Sequence, residues 1–440
     1  MVETVSEAST LYRAGLRPGD VLLSWYRPAN PPANPTPAAG VFGSPFEWLE
    51  FVEDQGPRGT VQLTGRRGGD PLFLSVQRGL WRARARPRLP EDLEEIYTRG
   101  RELRVAGDLE SALRTWRPLL DIWRDGPLRA WLLLRMATAQ EKEGAWEGAE
   151  ESFRGMLRAS ADPLVESKAW RLLGDGYLRQ SELEEAEKAL TTALEIHRRF
   201  RPGSLVVSNI LSHLGTVAFT RGHLDRSYRY DREALGIRQA LAPGSLEAAM
   251  SFGNLGVVAS SRGQLDRAED LYLRAARLME GLAPESLNLA NILSNLGVLA
   301  QDRKDHDRAR EYHRRALRIR RRLAPGSLEL ATSLNNLGFL AQDLGRLDEA
   351  QEFHLQALEL KKRLAPGSLR EAKRAGITTE KLMAGSRSGL RRRPARRPGK
   401  YAAICAAVPR SYRARARPPR APTAAAPEDT SGGRRQRSGT

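Results

Sequence analysis

The sequence predicts a mostly α fold, an α-solenoid of helix-turn-helix repeats, and three observations carry that prediction. The hexapeptide "LAPGSL" at 241–246 recurs at 323–328 and 364–369, as "LAPESL" at 282–287 and more loosely within "RFRPGSL" at 199–205. Its prolines, Pro202, Pro243, Pro284, Pro325 and Pro366, stand 41 residues apart. A small residue keeps the same step at Gly174, Gly215, Gly256, Gly297 and Gly338, preceded by Gly100 and Ala137 at steps of 37, which makes seven units. A fixed period of this length marks stacked supersecondary units that bury one continuous core.

Each unit divides into two helices. "SLELATSLNNLGFLAQDLG" places Leu328, Ala331, Leu334, Leu337 and Leu340 on one helical face. "LDEAQEFHLQALELKKRLA" does the same with Leu347, Ala350, Phe353, Ala357, Leu360 and Leu364. Twelve residues after the small position come Ala112, Ala149, Ala186, Ser227, Ala268, Ala309 and Ala350. Nineteen after it come Leu119, Met156, Ala193, Ala234, Ala275, Ala316 and Ala357. The small residues are expected to let two backbones approach, where a larger side chain would overpack by ~1–3 kcal/mol.

The hexapeptide is punctuation. Proline disfavours helix at the residue before it, so the second helix stops near Ala242 or Ala324. Gly244 or Gly326 supplies the freedom of a turn, and Ser245 or Ser327 caps the next helix.

The pattern in "NLGVVASSRGQLDRAEDLYLRAARLMEGLAP" resembles the tetratricopeptide repeat, and the longer spacing with "LNNLG" openings resembles its kinesin-light-chain subtype. The resemblance spans residues 93–369. There are departures: an aromatic residue occupies the usual slot at Trp116, Phe153 and Tyr272 but falls one residue early at Tyr230, Tyr312 and Phe353, and Lys304 replaces the glycine seen at Gly222, Gly263 and Gly345. The resemblance implies a concave groove lined by the first helix of each unit. Its groove positions are Asn209, Ser212, Thr216 and Phe219; Asn291, Ser294, Val298 and Gln301; and Thr332, Asn335, Phe339 and Gln342. Asn and Gln suit a peptide backbone because each amide both donates and accepts.

Ahead of the array, "AGLRPGDVLLSW" reads as a Gly/Pro turn into a strand, "SPFEWLEFVED" as a short capped helix, and "GTVQLTGRRGGDPLFLSV" as a hairpin. This order resembles a bacterial PDZ domain, giving a small α+β domain over 1–80. Only thirteen residues precede Ala14, so the strand that would pair with a peptide end is expected to be absent and the domain incomplete. Residues 81–92, beginning "WRARARPRLP", are expected to be a linker.

Residues 370–440 carry 19 Lys/Arg against 4 Asp/Glu; subtracting these from the chain's 71 and 53 leaves 52 and 49 in residues 1–369, a nearly neutral body. The Arg/Pro/Ala-rich tail cannot bury a core and is expected to be disordered. It has two readings: a salt-sensitive tether for nucleic acid, or out-of-frame translation. Loss of the 41-residue rhythm directly after the last "PGSL" favours the second.

Catalytic chemistry is not legible. The six histidines include His313 and His354 at equivalent positions one repeat apart, too far for one metal. No phosphate-binding Gly-Lys-Ser/Thr loop, HExxH or Gly-x-Ser-x-Gly elbow occurs. Arrays of this type often precede a caspase-like CHAT peptidase domain, but no His follows His354 and Cys405 lacks a partner. With no secretory signal or membrane span, a cytoplasmic location is expected. The expectation is therefore a non-enzymatic scaffold binding a protein or peptide, without cofactor or metal. Its alternatives are the sensor half of a truncated peptidase and a nucleic-acid-associated protein acting through its tail.

Overall fold

A computed structural model of the chain describes residues 1–364, Leu80 excepted. Sixteen α-helices are present among them, fourteen in consecutive antiparallel pairs. The pairs are α3 (Glu91–Val105) with α4 (Leu109–Ile122), α5 (Gly126–Lys142) with α6 (Trp146–Ala159), α7 (Pro163–Gln180) with α8 (Leu183–Phe200), and α9 (Leu205–Thr220) with α10 (Leu224–Leu241). They continue as α11 (Leu246–Ser261) with α12 (Leu265–Leu282), α13 (Leu287–Asp302) with α14 (His306–Leu323), and α15 (Leu328–Asp343) with α16 (Leu347–Leu364). Each pair packs on the next, so the solenoid follows the seven units read from the sequence.

The repeated small and apolar positions are its core. The residues twelve and nineteen after the small position are buried in all seven units, from Ala112 and Leu119 to Ala350 and Ala357. The small residue itself makes room chiefly for the side chain sixteen residues later, and at Gly174 also for the Leu190 backbone. A Cβ on Gly174 would stand 2.5 Å from Leu190, one on Gly256 2.6 Å from Tyr272, and one on Gly338 2.7 Å from His354. Trp116 fills the same space beside Gly100.

The punctuation is as read. Helices α10 and α14 end at Leu241 and Leu323, and Ser204, Ser245, Ser286 and Ser327 each accept a backbone N–H of the following helix. Gly244 adopts a left-handed φ of 70°, but Gly326 does not, which explains how "LAPESL" can carry Glu285 in that place. The left-handed residue common to every unit lies elsewhere, seven positions after the small one: Gly107, Gly144, Ser181, Gly222, Gly263, Lys304 and Gly345. It ends the first helix of each pair and lets the chain reverse.

The amino-terminal region holds a four-stranded antiparallel sheet in the order β3-β2-β4-β5, from β2 (Val21–Arg27), β3 (Ala38–Val41), β4 (Val61–Arg67) and β5 (Asp70–Val76). Helix α1 (Thr10–Arg13) precedes it, and α2 (Pro45–Asp54) packs Trp48 and Phe51 against Val61, Leu63 and Trp81. Ser44 and Glu47 form a capping box that starts α2. Two expectations need correction. A strand does precede the Ala14–Gly15 turn, β1 (Val2–Val5), and it pairs with β6 (Ala83–Ala85) inside the stretch expected to be a linker. Val2 and Trp81 are both buried in the shared core, so this apolar contact closes the module through residues that look like a basic spacer. The expected tail, 370–440, lies outside the described residues.

Candidate binding groove

The first helices of the units lie side by side, with α7 touching α9 and α13 touching α15. The twelve sequence-predicted groove residues lie on α9, α13 and α15, and the structure divides them. Ser212, Thr216 and Ser294 are buried, and Asn209 and Asn291 are half-buried. Asn209, Asn291 and Ser294 sit at the joints between units, whereas Thr216 Oγ1 donates to Ser212 O of its own helix. Arg238 of α10 donates through Nη2 to Asn209 Oδ1 at 2.8 Å and through Nη1 to Ser251 Oγ of the next unit at 2.6 Å. Arg320, two repeats on, donates to Asn291 Oδ1 at 2.6 Å, to Ser294 Oγ at 2.9 Å and to Ser333 of the next unit.

The other seven are more accessible. Thr332 and Phe339 are exposed, and Phe219, Val298, Gln301, Asn335 and Gln342 are half-buried. Asn335 Oδ1 lies 3.2 Å from His354 Nδ1, and Gln301 donates to Asp343. Phe339 meets the His354 ring edge-on at 5.0 Å between centroids.

Arg238 and Arg320 are buried cations without a carboxylate partner among the described residues. Burial lowers each guanidinium to about 10, against the opposing pull of Glu247 and Asp231 on Arg238 and of Glu329 on Arg320. Hydroxyls and amide oxygens accept from both, and backbone carbonyls also from Arg238, while the Arg320 Nε is left without a partner, so positive charge lies just beneath the face.

Sequence reasoning missed the most heavily used part of this face. Lys168 and Arg171 of α7 stand six and three residues before Gly174, the spacing of Asn209 and Ser212 before Gly215. Lys168 Nζ donates to Glu53 Oε1 at 2.6 Å, while Arg171 Nη2 donates to both Glu53 oxygens at 2.8 Å. Burial alone would raise the Glu53 carboxyl, but Arg171 and Lys168 outweigh it and hold it at about 2. Glu53 belongs to α2, which packs across α5, α7 and α9. Its neighbours add to the seat. Asp54 Oδ1 accepts the Leu205 backbone N–H at 2.7 Å, and Glu50 Oε1 accepts from Ser204 Oγ at 3.2 Å and lies 3.3 Å from His197 Nε2. Extending the repeat alignment to the third unit finds Lys168 and Arg171; nothing in the sequence announces that a helix of the same chain meets them.

The tetratricopeptide-repeat family matches residues 165–240, 206–281 and 288–363. Residues 165–281 and 288–363 of the array are tetratricopeptide repeats. Folds of this family generally mediate protein–protein interaction. Solved structures similar to this one include BtubC from P. vanneervenii, 24% identical with a TM-score of 0.43, covering 51% of this chain and 91% of that one. The kinesin-light-chain-like repeats of Podosopora anserina are 17% identical with a TM-score of 0.38, covering 47% and 99%. A signal-transduction ATPase with a tetratricopeptide sensor from Pyrococcus horikoshii is 14% identical with a TM-score of 0.49, covering 63% and 43%. Among curated proteins nothing matches the chain. Among the described residues no group of three or more His, Cys, Asp or Glu is placed to hold a metal ion, and no helix is long and apolar enough to cross a membrane.

Proposed function

We propose that the chain is a non-enzymatic scaffold whose first-helix face forms a groove for a segment of a partner protein. The segment lies over α11, α13 and α15, and it is acidic. The observation that supports this reading is the seat of α2. A helix carrying Glu50, Glu53 and Asp54 already lies across α5, α7 and α9, with Glu53 held by Lys168 and Arg171. The face therefore accepts a helix with carboxylates over one half of its length.

Beyond α9 the same face continues without that cover. Val298, Gln301, Thr332, Phe339 and Gln342 offer apolar area and amides there. Asn291 has its oxygen committed to Arg320, so it offers N–H donors outward. Arg320 beneath it, and Arg238 where α10 reaches Ser251 of α11, favour an incoming carboxylate or carbonyl.

An array of immobilised 15-residue peptides, half acidic and half with the charges reversed, tests this on the full chain. Acidic peptides should bind, and replacing Phe339→Ser with Gln342→Ala should weaken them about tenfold while circular dichroism stays unchanged. Equal binding by wild type and variant would remove the groove assignment, and equal binding of both charge classes would remove the acidic preference.

A further inference from the structure

A second cleft lies away from the groove, where the β1–β6 ribbon meets α3 and α5. It has a volume of about 540 Å³ and gathers Arg84 of β6, Arg101 and Arg104 of α3, and Arg135 of α5. Two carboxylates share the wall, Glu3 and Glu102. Glu3 is buried and fully engaged. Its Oε2 accepts from Arg135 Nη2 at 2.8 Å, its Oε1 accepts the Tyr97 hydroxyl at 2.7 Å, and Arg101 stands 3.9 Å away.

The remaining charge is uncompensated. Arg84 and Arg104 form no ion pair among the described residues, and the buried Nε of Arg135 has no hydrogen-bond partner. Burial, then the neighbouring Arg135 and Arg104, lower the Arg84 guanidinium from its ordinary value, as crowded like charges must. Four guanidiniums against two carboxylates leave a net charge of +2 on the cleft wall.

We propose that this cleft binds a phosphate dianion, either inorganic phosphate or the phosphoryl group of a small monoester. Guanidinium forks match phosphate oxygens two at a time, which a lysine cluster would not do. A dianion also neutralises the wall's surplus, whereas a monocarboxylate leaves half of it standing. The cleft is wide enough to hold an organic group beyond the phosphorus. Arg84 and Arg104 would take the phosphate, while Glu3 and Tyr97 keep Arg135 and Arg101 in place beneath it.

Isothermal titration of the full chain with inorganic phosphate and with glycerol 3-phosphate, at constant ionic strength, tests the assignment. Saturable binding of either is expected, and chloride at the same ionic strength should give none. Tighter binding of the ester would identify a monoester as the natural source, and equal binding would show that the phosphoryl group alone is read. Arg84→Gln with Arg104→Gln should weaken binding about tenfold or more, since each lost charge-assisted hydrogen bond is worth at least that. Neither side chain supports the fold through an ion pair, so the thermal midpoint in chloride should stay put. Absence of binding by wild type, or equal affinity in the variant, would overturn the proposal.

Discussion

Gly297 yields its side-chain space to His313: a Cβ on the glycine would stand 2.5 Å from the imidazole Cε1 and Nδ1. The same pairing recurs along the array with different occupants, and His313 is among the least accommodated of them. It is buried, and neither ring nitrogen has a hydrogen-bond partner. Burial, followed by Arg320, lowers it to about 4, so it is neutral at physiological pH.

Gly297→Ala should therefore destabilise the array by about 1–3 kcal/mol through overpacking. Adding His313→Ala to that variant should restore part of the loss, because the two side chains then share the space. Urea denaturation of the four members of the cycle measures the coupling. A Gly297→Ala protein as stable as wild type would show that the ring simply moves aside.

The pH dependence has two opposing contributions. Asp231, which fills the slot beside Gly215, is raised by burial from 3.8 to about 7, against the opposing pull of Asn254, Arg238 and Ser227. Its folded value exceeds its unfolded one, so its contribution is full below about pH 4 and is lost as pH rises through about 7. His313 is depressed, so its contribution is full above about pH 6.5 and is lost as pH falls through about 4. Asp231→Asn should flatten the alkaline-side decline, and His313→Tyr, which copies Tyr272, should flatten the acidic one. Thermal midpoints measured from pH 4 to 8 check both, and unchanged profiles in both variants would show that neither group titrates in this range.

Lys304 holds a left-handed φ of 62° where five of the six other units have glycine. Its N–H still donates to Gln301 O at 2.9 Å, so the turn is kept and only the side chain resists it. Lys304→Gly should stabilise the chain by about 1 kcal/mol, seen as a higher thermal midpoint. A lower midpoint would mean that the lysine side chain makes up for the strain.

Periodicity made the array legible because each unit repeats its neighbour's solution: alanines at the helix contacts, a serine cap and a proline stop. It could not show what the departures mean. Arg238, Met279 and Arg320 occupy one repeated position, twenty-three residues after the small one, and only coordinates reveal that the arginines reach across to Ser251 and Ser333 of the next unit. Asn209 and Asn291 accordingly read as groove residues, when their oxygens already serve these joints. The amino-terminal strands were harder still. β1 and β6 are short and far apart in sequence, and although Ala83–Ala85 alternates, two alanines among arginines offer too little apolar surface to announce a strand.

Glu53 is expected to hold the amino-terminal module on the array. Glu53→Gln leaves Lys168 and Arg171 without their anion, at a cost of about 2–3 kcal/mol. Hydrogen exchange should speed up in α2 and α7 and stay unchanged in α13 and α15. Because the carboxyl is depressed, the wild-type contact is full above about pH 4.5 and lost as pH falls through about 2. Uniform acceleration over the whole chain would instead assign Glu53 to global stability.

Arg320 asks whether charge or volume closes the joint between units. Met279 fills the equivalent place one repeat earlier and is fully buried, so an apolar side chain of that length fits the site. Arg320→Met removes a desolvated cation whose Nε lacks a partner, and it leaves Ser294 and Ser333 able to turn their hydroxyls to their own helix carbonyls. Such exchanges are commonly neutral or stabilising, so a change within about 1.5 kcal/mol is expected. Arg320→Ala empties the same volume and should cost about 2–4 kcal/mol. Chemical denaturation of the two variants side by side separates the causes. If methionine costs as much as alanine, the hydrogen bonds of the guanidinium hold the joint; if it costs little, volume does, and the charge is free to act on whatever lies against Asn291.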